Sequence, residues 1–142
     1  MMETKEKIVA NNIEAELLKL NKNIEKRLLN KCIYQLKEIE RLNEEYQIND
    51  LNSLNSEYNC IKGHLNEQEN QLRLISLMNF ANKLVFGYFA RNTQIISLLF
   101  FINKPNKEGL IQQVMTGEGK SLIISFLAVF MNLVYNKKID IF

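Results

Sequence analysis

Residues 109–142 read GLIQQVMTGEGKSLIISFLAVFMNLVYNKKIDIF. The whole chain holds 5 glycines. Two of them, Gly117 and Gly119, have a single residue between them and lie directly before Lys120 and Ser121. A short alternating run, residues 110–115, precedes this cluster, and an apolar stretch of helical length, residues 120–135, follows it. The final KKIDIF, residues 137–142, is β-branched and apolar and reads as a second strand. The order is strand, glycine turn, helix, strand. In one sheet such a unit has parallel strands and a right-handed crossover.

The chemistry of TGEGKS explains its composition. A phosphate chain needs several donors at close range and a compensating positive charge. Glycines let backbone N–H groups curl inward and leave no Cβ between chain and anion. The helix that follows aims its positive end at the same point. Lys120 supplies a mobile cation for the terminal phosphates, and Ser121 a hydroxyl where Mg²⁺ sits. The full pattern G-x-x-x-x-G-K-[ST] has glycine at its first position, and here Val114 stands there. A plain glycine turn with a solvated Lys120 would use the same letters. The expected strand before and helix after supply the context that the phosphate reading requires.

Upstream, helical spacing dominates. From about residue 8 to 46 a stripe runs through Ile13, Leu17, Leu20, Ile24, Leu28, Cys32, Leu36, Ile39 and Leu42. It reads as one side of a helical core or as a coiled-coil seam. Asp50 or Ser53 can cap a short helix that Gly63 ends, with His64 in an exposed loop. A further helix is expected over residues 65–89, with Leu72, Ile75, Met78, Ala81, Leu84, Val85 and Tyr88 on one face. Another starts near Thr93 and runs through IISLLFFI to the breakers Pro105 and Gly109.

Composition bounds the function. A net charge of +2 over 142 residues, with Lys and Arg interleaved with Glu, gives no electrostatic footprint for nucleic acid. Two cysteines and one histidine make no zinc pattern and no disulfide framework; reduced thiols in the cytoplasm are the expectation. The longest apolar run, residues 122–134, is shorter than the roughly 20 residues a membrane span needs, so no transmembrane segment is expected.

VMTGEGKS resembles motif I of the SecA family, the preprotein-translocase ATPases within the DEAD-type helicase superfamily. All six positions Thr116, Gly117, Glu118, Gly119, Lys120 and Ser121 match the family's T-G-E-G-K-[ST]. VFGYFARNTQ, ending in Gln94, is similar to the family's V-F/L-G segment and the glutamine that reads adenine. KKIDIF is similar to the strand after the first helix.

The resemblance covers the chain from about residue 80 onward. It implies an α/β fold: a mainly helical region of unassigned role, residues 1–75, followed over 76–142 by the first β-P-loop-α-β unit of a RecA-like motor domain, incomplete. It implies ATP and Mg²⁺ as cofactors. Gln94 would lie on adenine, Thr116, Gly117, Glu118 and Gly119 would wrap the phosphates with backbone N–H groups, Lys120 would bind the terminal phosphates and Ser121 the metal.

By the same resemblance the partners are ATP or ADP, a polypeptide substrate and membrane translocation machinery, at a cytoplasmic site peripheral to a membrane. The D-E-A-D carboxylates and the arginines of the second motor domain are not in this sequence, so no catalytic residue is assigned and the chain alone is expected not to turn ATP over. The competing reading is a helical interaction module that works through residues 8–46 and carries an inert P-loop. A nucleotide kinase is disfavoured, because those enzymes do not read adenine from the position of Gln94.

Overall fold

An apolar residue every third or fourth position builds the first helix. In the computed structural model, which describes residues 26–103 and 119–138, α1 spans Lys26–Glu45 and buries Leu29, Cys32, Leu36, Ile39 and Leu42 on one side. The stripe expected from residue 28 onward is thus core; its members at 13, 17, 20 and 24 lie outside the described residues.

A short α2, Leu51–Ile61, begins with a capping box. Ser53 donates its backbone N–H to Asp50 Oδ1 at 2.8 Å, and Ser53 Oγ accepts the Asp50 N–H at 3.2 Å. Two N–H groups that a helix start leaves without partners are satisfied reciprocally. These bonds to Ser53, its backbone N–H first, hold the Asp50 carboxyl below the usual carboxylate range. His64 lies exposed in the turn after α2, as expected.

The third helix, α3, covers Gln68–Phe86 and ends on Gly87, whose φ of 86° is the left-handed conformation that glycine adopts without cost. The fourth, α4, covers Asn92–Asn103, and every residue from Gln94 to Phe100 is buried. A helix apolar all round belongs at the centre, and α4 packs between α1 on one side and α5, Lys120–Tyr135, on the other. α3 touches α1, α2 and α5. Leu98, Leu99, Phe100 and Phe130 are at most 1% exposed and form the middle of one continuous core. Among the described residues no helix is long and apolar enough to cross a membrane.

The α/β expectation is corrected here. The described residues form five helices and no strand, so a β-P-loop-α-β unit is not seen and the described fold is all-helical. The run at 110–115 lies outside the described residues. Of the second expected strand, Lys137 and Lys138 are described and neither is in a strand. Asn136 takes φ 53°, and Lys137 donates its N–H back to Met131 O at 3.3 Å, so this segment closes α5. The physical reason is one of partners. A parallel strand is stable within a sheet covered on both faces. No sheet is present among the described residues, and α5 buries Ile123, Phe126 and Phe130 toward helices. Short apolar runs do not distinguish these two outcomes by periodicity.

Both described cysteines are free thiols, Cys32 buried and Cys60 exposed. Burial of Cys32 pushes its thiol up from 9.0 to about 12, against smaller lowering effects of the Asn103 amide and Lys31. A raised folded value means that stability is intact below the unfolded value and is lost as the pH climbs toward the folded one. Wild-type stability should therefore fall relative to Cys32→Val between about pH 9 and about pH 12. Urea midpoints of both proteins across that range are the measurement, and parallel curves would remove Cys32 as the cause.

Candidate functional site

The site is built from a tight turn. After Gly87 the chain folds back along α3 and is held there by two asparagines of that helix. Asn82 Nδ2 donates to Tyr88 O at 2.9 Å, and Asn79 Oδ1 accepts the Ala90 N–H at 2.6 Å. Phe89 packs edge-on against Phe80 with ring centres 5.1 Å apart, and Lys83 Nζ lies 4.6 Å from the Phe89 ring centre. The turn delivers Arg91 to the start of α4, where Gln94 is the third helical residue.

Gln94 Oε1 accepts the Arg91 N–H at 2.8 Å, the half of a capping box in which a side chain reaches back to the helix start. On the other side Gln94 Nε2 donates to Gly119 O at 3.5 Å. Gln94 and Gly119 are 25 residues apart in sequence. Gly119 takes φ 77°, and a Cβ placed on it would collide with Gln94 Nε2. The left-handed backbone favours glycine here, and an added Cβ would displace the end of the Gln94 side chain.

From Gly119 the chain enters α5 directly. Gly119 O accepts the N–H groups of Leu122 at 3.1 Å and Ile123 at 3.4 Å. No side chain caps this helix start, and its first turn holds no acidic residue. Lys120 and Ser121 are exposed at that start. Beside it opens a cleft of about 780 Å³ between α3 and α5. Met78, Ala81, Val85, Phe86, Tyr88, Phe126 and Val129 give it apolar walls, and Asn82, Arg91, Gln94, Ser121 and Ser125 give it a few polar groups. Apolar walls with a few convergent polar groups are the usual make-up of a small-molecule site.

Of the residues expected in a nucleotide site, the fold brings Gln94, Gly119 and Ser121 to one cleft. Lys120 stands at the same helix start but does not line the cleft. Thr116, Gly117 and Glu118 lie outside the described residues. The donor set suits a phosphorylated base: a helix N-terminus without a side-chain cap, a hydroxyl at Ser121, an amide at Gln94 and apolar walls. Among the described residues no group of three or more His, Cys, Asp or Glu could hold a metal. A magnesium ion arriving with phosphates fits this set, because Mg²⁺ keeps most of its waters and needs few protein oxygens.

Asn79, Asn82 and Arg91 were not singled out by sequence reasoning. A signal existed: Ser76, Asn79 and Asn82 recur every third residue inside a helix whose residues 74–80 are all buried. Polar groups so placed need partners within the fold. Conversely Leu84, Val85 and Tyr88, expected on one face with Ile75 and Met78, are exposed while those two are buried; Val85 and Tyr88 line the cleft.

The family model of the SecA DEAD-like domain matches residues 17–142. The match begins well upstream of the glycine turn and takes in all five helices. No curated protein and no solved structure gave a match. Matched over most of its length, the chain belongs to the SecA DEAD-like domain family, as a portion of a SecA-like ATPase motor.

Proposed function

We propose that the cleft between α3 and α5 is the ATP-binding site of this motor portion. The observation that carries the reading is the meeting of Gln94 with Gly119: the glutamine assigned to adenine touches the last glycine of the loop assigned to the phosphates. Gln94 offers a donor and an acceptor, as adenine's edge requires. Thr116, Gly117, Glu118 and Gly119 contribute backbone N–H groups to the phosphates, and the N-terminus of α5 adds its dipole. Lys120 contributes a mobile positive charge, and Ser121 its hydroxyl toward magnesium. When bound with nucleotide, Mg²⁺ would neutralise phosphate charge. By family, the work coupled to ATP is movement of a polypeptide, with membrane translocation machinery as partner and the cytoplasmic side of a membrane as the place of action.

The competing reading, an interaction module working through the stripe of residues 8–46, receives less support. From Leu29 to Leu42 that stripe is spent on the chain's own core.

Lys120→Ala should weaken ATP binding about tenfold to hundredfold, since a charge-assisted contact is worth roughly 1.5–3 kcal/mol. Titration calorimetry on both proteins measures this, and equal affinities would take Lys120 out of the site. Gln94→Ala should narrow the preference for ATP over GTP while dependence on Mg²⁺ persists. A wild-type chain that binds the two nucleotides equally would show that adenine is not read at Gln94.

A further inference from the structure

The turn that carries Gln94 into the cleft is tied to α3 by side chains. Residues 88–91 have helix α3 behind them, and α3 presents a line of polar side chains at three-residue spacing on an otherwise apolar, buried surface. Asn79 is 2% exposed and Asn82 5%. An amide placed in a core loses its water and is tolerated where it makes specific bonds. These two make theirs to the turn: Asn79 Oδ1 to the Ala90 N–H, Asn82 Nδ2 to Tyr88 O. The next residue, Arg91, gives its N–H to Gln94 Oε1. A chain of three bonds therefore runs from the core of α3 through the turn to the amide of Gln94. Apolar residues at 79 and 82 would fill the same space but would not set the position of the turn along α3.

We propose that Asn79 and Asn82 are positioning residues for base recognition: they lock the turn at residues 88–91 to α3 and thereby aim the Gln94 amide at a purine in the cleft. This rests on the ATP-site reading above and adds to it a source of specificity outside the loop and the glutamine. The chemistry asks for such a lock. Discrimination between adenine and guanine depends on which end of one amide faces the donor and which the acceptor of the base. An amide on an untethered turn can satisfy either base by a small shift.

The test compares the 142-residue wild type with Asn79→Leu, Asn82→Ala, Gln94→Ala and the double variant Asn79→Leu/Gln94→Ala. Each is titrated with ATP, GTP and inorganic tripolyphosphate in Mg²⁺. Asn79→Leu is expected to lose about tenfold in ATP affinity, the scale of one well-placed hydrogen bond, with GTP and tripolyphosphate unchanged. The double variant should be no weaker for ATP than Gln94→Ala alone, since both changes remove the same recognition. Asn82→Ala, which removes the bond to Tyr88 and leaves Asn79 in place, should show the same selective loss at smaller size, and it decides the matter if Asn79→Leu does not fold. Equal losses for all three probes would mean that the asparagines merely stabilise the fold, and would overturn the proposal. So would additive losses in the double variant. If the wild type itself fails to prefer ATP over GTP, the base-reading site falls and the proposal with it. If the wild type discriminates and the asparagine variants discriminate equally well, only this proposal falls.

Discussion

Gly119→Ala should cost the chain about a hundredfold in ATP affinity. Two effects combine. At φ 77° an alanine carries left-handed strain of about 1–3 kcal/mol, and its Cβ collides with the Gln94 amide. The loop can relieve the strain only by leaving this conformation, which carries Lys120 and the first N–H groups of α5 away from their present direction. Gln94 can relieve the collision only by giving up Gly119 O or its hold on Arg91. The strain alone corresponds to roughly fivefold to a hundredfold or more, and loss of the glutamine contact adds to it. Gly63→Ala is the control. A Cβ at Gly63 meets nothing within 4 Å and its φ is not positive, so that variant should bind as the wild type does. Calorimetry gives the affinities and circular dichroism the helix content. Unchanged binding by Gly119→Ala would mean that this close approach plays no part in nucleotide recognition.

Phe130→Ala should produce the largest loss of stability. Phe130 is fully buried and, with Phe100, among the largest side chains wholly inside. It is the last of the three inward residues of α5, after Ile123 and Phe126. Truncating a buried Phe typically costs about 3–5 kcal/mol, from lost transfer energy and the cavity left behind. Against a usual total of about 5–15 kcal/mol, this should lower Tm by roughly ten degrees or more. Ile124, one residue from the inward Ile123, is 42% exposed, and Ile124→Ala should stay within about 1 kcal/mol of wild type. A thermal scan of the two variants decides the matter. Similar midpoints would show that α5 is not docked through Phe130.

The helices were legible in the sequence from their periods and from some of their ends. Asp50 and Ser53 open α2 as expected, and the continuous IISLLFFI run lies in the most buried helix, whereas α3 stops at Gly87, inside the stretch 65–89 expected to be helical. The alternation of residues 110–115 and the β-branched, apolar residues of 137–142 suggested strands, but Lys137 bonds back to α5, since local apolar patterns are silent about whether a neighbouring strand exists. Of the candidate site, Gln94, Gly119 and Ser121, which share one cleft, could be named from chemistry and resemblance. The contact between Gln94 and Gly119 could not, since it depends on how α4 and α5 cross. Asn79 and Asn82 were hidden for another reason. Asparagine in a helix ordinarily signals a wet face, and its role here as the hold on a turn follows from the burial of the middle of α3, residues 74–80 and 82.

The place of α1 in the core has a consequence for synthesis of the chain. Its stripe is covered by α3 and α4, and the bond from Asn103 Nδ2 to Gln35 Oε1 closes an interval of 68 residues. A ribosome adds roughly 5–20 residues per second. About 3–14 seconds therefore pass between the emergence of Gln35 and that of the residue it will hold. During that interval Leu29, Leu36, Ile39 and Leu42 have no α4 to bury them. The nascent α1 thus spends its first seconds with part of its apolar stripe uncovered, and that side closes only once the chain to Asn103 has been made.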